Sequence, residues 1–326
     1  MWRLAVAALL AITGCNWPPK EKPTAIPHPT LASLREGEGL AARYLGDKNL
    51  TADPAVVFAD DVESSTVGRL TDGLAAEQQT AWNNAWDRSF GGSRVTDDRE
   101  HVHAGQRALE FTLNGPGAIG VTKYFSPGFE RLFLRYYVKY DAAFPGAHHV
   151  GGWISARAPG VPDANPGIRP DGTNQFDVLL DHWRSTGVPP PWHLVAYVYH
   201  MDQQHKWGEQ FFPSGKTLPG VNAARGIFGP SFIPRKDFVP ARGQWHCYEL
   251  MLQANTPERR NGRVAFWVNG RLAADFPNLR FRTVETLMIN HVNVGMYESV
   301  SHRLRRVWMD DIVVASAYIG PMVPRR

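Results

Sequence analysis

The sequence predicts an all-β fold, a sandwich or jelly roll with short helices at its periphery, and three observations support this. Short runs of alternating apolar and polar residues recur along residues 56–320, from "AVVFADDV" to "RRVWMDDIVVASAYIG". Turn residues separate these runs, in a chain that contains 25 prolines and 30 glycines. Hydrophobic residues make up 43% of the 326 residues, which is enough for a large core, and the sequence shows no long helical pattern and no internal repeat.

The first 15 residues, "MWRLAVAALLAITGC", predict a secretory signal. One arginine precedes an apolar run from Leu4 to Ile12, which is too short to cross a bilayer as a stable helix. The closing "ITGC" resembles the bacterial lipobox, in which the cysteine becomes the lipidated first residue of the mature protein. We therefore expect a lipid anchor on Cys15 that holds the protein at a membrane of the bacterial cell envelope, facing the periplasm or the exterior.

The segments outside the strand region are less regular. Residues 16–55 start with five prolines and predict a tether, followed by a short helix within 31–46. Residues 74–88 predict a second helix or a tryptophan-bearing loop, and residues 321–326 form a basic tail. The net charge is +4, and because the sequence has neither a lysine-rich tract nor a zinc pattern, we expect no nucleic-acid partner.

A pair of aspartates stands at each end of the strand region. "FADDVES" contains Asp60 and Asp61, and "WMDDIVVA" contains Asp310 and Asp311. If the first and last strands are neighbours, Asp61 and Asp311 could share a structural calcium ion, which takes several oxygen ligands. The alternative is that each pair lies at a sheet rim and accepts hydrogen bonds from loops. We expect no other metal or cofactor to be required.

The C-terminal third carries a recognisable series of motifs. "GQWHCYELMLQANTPERRNGRVAFWVNGRLAADFPNLRFRT" couples a Trp-Glu strand to an "NTP…NG" turn and a "WVNG" strand, and "MDDIVVASAYIGP" follows. Over residues 240–320 this series resembles the concanavalin-like jelly-roll polysaccharide lyases of the glucuronan and alginate lyase type, and related secreted bacterial proteins of unassigned function. The resemblance is looser over 56–240, and the "QIH" and "YFKAG" motifs of well-studied alginate lyases are missing from the sequence.

The resemblance implies a curved sheet that binds a polyuronate and cleaves it by β-elimination. The proton that leaves is α to a carboxylate, so Arg, Asn, Gln or a protonated His must neutralise that carboxylate. A His or Tyr acts as the base, and a Tyr acid protonates the leaving oxygen. The expected partner is therefore an acidic polysaccharide or another glycan, and the expected function is that of a polysaccharide lyase.

Strand alternation assigns faces in the stretch "AHHVGGW". His148 shares a face with Val150, so we expect it to be a structural residue of the core. His149 shares the other face with Trp153 and is the expected functional histidine. The resemblance implies a histidine in the first half of the jelly roll and a tyrosine near its end, here His149 and Tyr297. It gives them the roles of base or neutraliser and of base or acid, respectively.

The other candidates come from the polar faces of three strands, "RYYVKY", "HLVAYVYH" and "INHVNVGMYE". These faces are rich in Tyr, His, Asn, Arg and Lys, which suits sugar stacking and acid–base chemistry. The further catalytic candidates are Tyr199 and Arg135. The substrate-binding candidates are Trp153, Tyr197, Lys139, His291 and Asn293.

Three other functions stay open at this point. A non-catalytic polysaccharide-binding surface lipoprotein would use the same aromatic face without a base. A glycoside hydrolase would need two close carboxylates, whereas Asp177 and Asp181 lie about 13 Å apart on one strand, beyond the roughly 5–9.5 Å that such chemistry uses. A metalloenzyme would use His101 and His103 or the histidine pair at 148–149, but neither set has a partner motif such as HExxH.

Overall fold

The computed structural model describes residues 32–71, 73, 80–88, 91–219 and 224–325 and is almost entirely β. In chain order the strands are β1 (Val56–Asp60), β2 (Gly68–Leu70), β3 (Asn84–Arg88), β4 (Gly91–Thr96), β5 (Ala108–Asn114), β6 (Gly117–Phe129), β7 (Arg131–Tyr140), β8 (His149–Arg157), β9 (Gln175–Trp183), β10 (His193–Tyr199), β11 (Glu209–Phe211), β12 (Thr217–Leu218), β13 (Trp245–Gln253), β14 (Gly262–Val268), β15 (Arg271–Leu279), β16 (Ile289–Glu298) and β17 (Leu304–Ala315). One short α-helix, α1 (Ala224–Phe228), is present in this part of the chain.

The strands form two antiparallel sheets that pack as a sandwich. Sheet I has the order β15-β14-β13-β7-β17-β5-β4-β2, and β1 also pairs with β17. Sheet II has the order β12-β11-β10-β9-β8-β16-β6-β3. β5 pairs with the first half of β17, and β1 with the second half after an irregularity between Asp310 and Val313. The first and last strands are therefore neighbours, and the all-β jelly-roll prediction is confirmed.

Local turn chemistry divides one predicted strand into two. The run "RVAFWVNGRLA" bends back at Asn269 and Gly270, where φ is 50° and 78°. Val268 and Arg271 are then paired across the turn as the ends of β14 and β15. Positive φ at both central residues is the requirement of a two-residue hairpin turn, and Asn-Gly is the sequence that meets it best.

The main core lies between the two sheets, where period-two alternation directs apolar side chains. On β7, Leu134, Tyr136 and Val138 point into it, and Val150 and Ile154 of β8 meet them from sheet II. Each of these five residues is buried. The outward-facing residues of β8 and its neighbours in sheet II are consequently the ones available for binding or chemistry.

A second, smaller core covers part of the outer face of sheet I. Phe133, Met251 and Trp267 of that face pack against Ala41 and Ile319, which belong to the segments before β1 and after β17. β7 is therefore buried on both faces along nearly its whole length. Polar residues of this face, such as Arg135, are consequently buried.

One helix prediction is confirmed in a shorter form and the other is corrected. The short helix expected within 31–46 takes the form of two 3₁₀ helices, Leu40–Arg43 and Leu45–Asp47, and the positive φ of Gly46 interrupts the helical path. The segment expected to be a helix or loop within 74–88 ends in strand β3. Residues 74–79 of that segment, and the signal, lipobox and most of the tether within 1–31, lie outside the described residues. Among the residues described, no helix has the length and apolarity needed to cross a membrane.

Candidate active site

His149 and Asp181 form a hydrogen-bonded pair on the outer face of sheet II. His149 opens β8, and its Nδ1 lies 2.6 Å from Oδ2 of Asp181 on neighbouring β9. The other carboxylate oxygen accepts a hydrogen bond from the backbone N–H of Val150 at 3.2 Å. The carboxylate is 1% exposed and the imidazole 20%. Because an ionised carboxylate only accepts, the network assigns the proton to Nδ1 and leaves the Nε2 lone pair free to act as a base.

Tyr297 stands beside this imidazole with its hydroxyl available. It is directly opposite His149 in the β16–β8 register, and the two ring centroids are 6.1 Å apart. The Tyr297 side chain is 37% exposed, and its hydroxyl makes no hydrogen bond within the described part of the chain. The sequence therefore predicted a His–Tyr pair that the fold does bring together.

Tyr197 has a different position on the same imidazole. Its ring stacks on His149 with centroids 4.9 Å apart. Its hydroxyl accepts from the Gly208 N–H at 3.1 Å and lies 3.4 Å from the Tyr199 hydroxyl. Burial and the neighbouring Tyr199 raise the pKa of Tyr197. Tyr197 is thus suited to holding the imidazole plane and poorly suited to giving up its proton.

His148 departs from its predicted place in the core. It is exposed, its Nδ1 lies 2.8 Å from Ser299 Oγ, and its ring centroid is 4.5 Å from that of His149 and 5.2 Å from that of Tyr297. Strand alternation does not apply to it because β8 begins at His149. Burial, and then the neighbouring His149, lower the pKa of His148, so it is largely neutral at pH 7. The expectation that His148 is a core residue was wrong.

A row of glycines forms the floor beside the His–Tyr pair. Gly151 on β8 is opposite Gly295 on β16, and Gly295 is opposite Gly120 on β6. Two residues further along these strands, Trp153 is opposite Asn293. The glycine row is therefore a strip without side chains of its own. It is bordered on one side by His149 and Tyr297 and on the other by Trp153 and Asn293. A sugar ring lying on this strip would contact both borders.

Asn293 carries an unused acceptor. Its Oδ1 is buried and has no hydrogen-bond partner within the described residues. Buried amide groups are normally paired, so an unpaired acceptor beside the binding strip points to a donor such as a sugar hydroxyl. Trp153, which is half-buried, supplies the neighbouring aromatic surface.

Tyr199 and His291 lie at the opposite, covered end of the same face. Tyr199 is 5% exposed, and its hydroxyl accepts from the Gly167 N–H at 3.2 Å, within the loop that joins β8 to β9. His291 is buried, with Nδ1 3.1 Å from Asn290 Oδ1. Burial, and then Arg157, lower the pKa of His291 to about 3. Both side chains are buried, unlike the half-buried His149, and Tyr199 lies against the loop.

Arg135 and Lys139 do not join the site at all. Both lie on β7, in sheet I, on an outer face that the terminal segments cover at Arg135 and the loop around Glu100 covers at Lys139. Arg135 is fully buried, forms an ion pair with Asp47 and donates to the carbonyl oxygen of Asp311 at 3.1 Å. Lys139 Nζ donates to the Glu100 carbonyl oxygen at 2.7 Å. Alternation predicted which residues share a face of β7, but it could not show to which sheet β7 belongs.

The four aspartates at the strand ends do not converge. Asp60 accepts from the Val62 N–H at 2.8 Å and the Trp82 Nε1–H at 2.6 Å, and exposed Asp61 accepts from a local backbone N–H. Asp310 accepts from the backbone N–H groups of residues 103, 104 and 311. Asp311 Oδ2 lies 2.6 Å from His103 Nδ1. No group of three metal-binding side chains occurs in the described ranges, and a calcium ion shared by Asp61 and Asp311 stays a prediction.

The residues considered for a glycoside hydrolase and for a metalloenzyme make other contacts. Asp177, the first carboxylate considered for glycoside hydrolysis, forms an ion pair with Arg157 at 2.9 Å, and Asp181 holds His149. His101 and His103 do not chelate as a pair on one strand, because a 3₁₀ turn spans Arg99–His101. Instead the His101 ring stacks on Trp308 with centroids 3.6 Å apart.

Two residues of this face were missed from the sequence. The sequence suggested Asp181 only as a hydrolase carboxylate. Alternation along β9 places Asp181 on the same outward face as Leu179, two residues earlier, and this was the available signal of its orientation. The sequence predicted a helix or loop around Trp86, whereas the structure places this residue on β3, directly opposite Gly120. Its indole lies 6.5 Å from that of Trp153, edge to face.

Comparison with known proteins supports the fold. Neither a protein-family model nor a curated protein sequence matches the chain. Among solved structures, a variant of the alginate lyase Aly36B in complex with alginate tetrasaccharide is 17% identical, with a TM-score of 0.57 over 81% of this chain and 98% of that one. The alginate lyase vAL-1 from Chlorella virus is 13% identical, with a TM-score of 0.53 over 80% of this chain and 99% of that one. The chain therefore has the jelly-roll fold that these lyases share.

Proposed function

We propose that this protein is a polysaccharide lyase that cleaves a polyuronate by β-elimination on the outer face of sheet II. One observation carries the proposal: a histidine oriented by a buried carboxylate stands beside an unengaged tyrosine hydroxyl, at the border of a strip without side chains. The shared fold with alginate lyases is consistent with it, although fold alone does not fix function.

The proposed reaction uses His149 and Tyr297 in separate roles. Nε2 of His149 accepts the C5 proton of the uronate, and the electron pair of the C5–H bond forms the C4=C5 double bond as the C4–O4 bond breaks. Asp181 stabilises the imidazolium that results. The Tyr297 hydroxyl gives its proton to the leaving O4, and Asn293 donates its amide N–H to the uronate carboxylate, which lowers the cost of the charge that develops there.

A direct assay tests this proposal. The purified protein is incubated with alginate, glucuronan, hyaluronan or pectate, and the ultraviolet absorbance of the unsaturated uronate product is followed. We expect a signal with at least one polymer that is lost in both His149→Ala and Tyr297→Phe. The control is Tyr124→Phe, which alters an exposed tyrosine on β6, opposite His291 at the covered end. Absence of product with every polymer contradicts the lyase, and binding without product would instead support a non-catalytic polysaccharide-binding protein.

We further propose that the chain is a lipoprotein of the bacterial cell envelope, anchored through Cys15. The "ITGC" sequence after a short apolar run supports this. Full-length protein expressed in a bacterial host should incorporate a labelled fatty acid and sediment with membranes, whereas Cys15→Ser should do neither. Equal labelling of the two proteins would contradict the anchor.

A further inference from the structure

The glycine strip continues to the edge of sheet II and ends on a tryptophan. In one register row, Gly151 of β8, Gly295 of β16 and Gly120 of β6 are followed by Trp86 on edge strand β3. The row lies on the outward face, since Gly295 alternates with the buried Val294 and Met296 on β16. The row is thus a lane that crosses four strands and carries one side chain, at its outer end.

The Trp86 indole lies across β6 on the backbone of Gly120. A Cβ atom added at Gly120 would be 2.4 Å from Cζ2 and 2.8 Å from Cη2 of the indole, so the ring occupies the space that only a glycine leaves free. The Nε1–H donates to Thr122 Oγ1 at 3.0 Å, and the edge-to-face contact with Trp153 fixes the ring from a second direction. The residue is half-buried. Its orientation is therefore set before any ligand arrives.

We propose that Trp86 is the stacking platform of a further sugar subsite at the β3 end of this lane. A half-buried indole seated over a glycine offers an apolar surface that complements the C–H face of a pyranose. Preorganisation reduces the entropy lost on binding, because the ring needs no further ordering. The proposal rests on the proposed binding of a glycan along this face.

The position of the platform predicts which ligands use it. The indole reaches back over Gly120 of β6, which is two strand spacings, or about 10 Å, from β8. Trp86 is therefore displaced from His149 by more than one pyranose ring along the lane. A chain whose scissile bond lies at His149 and Tyr297 reaches Trp86 only if it extends past that bond on the β6 side.

The test compares short and long substrates in matched variants. Wild type, Trp86→Ala, Trp86→Phe and Trp245→Ala are assayed with alginate polymer and with alginate trisaccharide, and affinity for the polymer is measured separately by calorimetry. Trp245 is a half-buried tryptophan on the other sheet and serves as the control. We expect Trp86→Ala to weaken polymer binding and to lower kcat/KM on the polymer by about tenfold, with a smaller loss on the trisaccharide. Trp86→Phe should restore much of the loss.

A second variant separates the orientation of the indole from its presence. Thr122→Val keeps the indole but removes the hydroxyl that accepts its Nε1–H at 3.0 Å, so it should weaken polymer affinity in part while Trp86 is still present. Polymer affinity equal to wild type in Trp86→Ala, or an equal loss in Trp245→Ala, overturns the subsite. Polymer binding without elimination, still weakened in Trp86→Ala, rejects the lyase and keeps the subsite. A wild-type protein that binds none of alginate, glucuronan, hyaluronan or pectate overturns both.

Discussion

Replacing Asp181 by asparagine should prevent His149 from acting as a base without disturbing the fold. Asparagine is the same size, and its Oδ1 can keep the hydrogen bond to the Val150 N–H that Asp181 makes at 3.2 Å. Its Nδ2 then faces His149 Nδ1, where the carboxylate oxygen now lies at 2.6 Å. Because Nδ2 only donates, Nδ1 must become the acceptor and Nε2 must carry the proton. The imidazole is then in the tautomer that cannot remove a proton from the sugar.

The expected loss in rate follows from these two effects. Holding a histidine base in the wrong tautomer, together with loss of the carboxylate that stabilises the imidazolium, costs about 10³- to 10⁴-fold in kcat. This corresponds to about 4–5 kcal/mol of activation free energy. KM should change little, because Asp181 is 1% exposed and cannot reach the substrate.

The assay is the initial rate of absorbance increase from the unsaturated product on the best polymer. Asp177→Asn is the matched control, since this carboxylate lies on the same strand and face but pairs with Arg157. Unfolding temperatures of both variants show whether a loss reflects instability. A value of kcat for Asp181→Asn within about tenfold of wild type, in a folded protein, would refute the assignment of His149 as a base oriented by Asp181.

Three further predictions concern other parts of the molecule. Tyr297→Phe should lower kcat by about 10²- to 10⁴-fold while polymer affinity, measured by calorimetry, stays near wild type; retained activity would remove Tyr297 from the acid role. Burial lowers the pKa of His182 to about 4 and that of His291 to about 3, so the folded state binds these protons less readily than the unfolded state, whose histidines have ordinary pKa values near 6.5. The stability associated with these two groups is thus complete above pH 6.5, and the unfolding free energy falls by about 1.4 kcal/mol per pH unit for each group as the pH drops below 6.5. Urea unfolding at pH 7 and pH 5 should show this loss, and His182→Phe should reduce it. An unfolding free energy that does not depend on pH would contradict the prediction. Arg135→Met should destabilise the fold by about 3–5 kcal/mol, because it leaves the Asp47 carboxylate without its buried cation; the activity per folded molecule should be unchanged, and a selective loss of kcat would return Arg135 to the site.

The sequence by itself determined the local features. Period-two alternation fixed the all-β class and the outward faces of individual strands, since it depends only on the extended backbone. It therefore identified His149 on one strand and Tyr297 on another as outward-facing candidates. The glycines of the strip can also be located in the sequence, but the sequence does not show that they lie side by side.

The tertiary structure decided which strands are neighbours and which faces stay open. Sheet order depends on contacts between residues far apart in the chain, so alternation gave Arg135 the right face of β7 but could not show that β7 lies in sheet I beneath the terminal segments. For the same reason the pairing of Asp181 with His149 and the placement of Trp86 on Gly120 emerged only with the register of adjacent strands. The chemistry of the site is a property of that register, because a shift by one residue would turn each of these side chains to the other face.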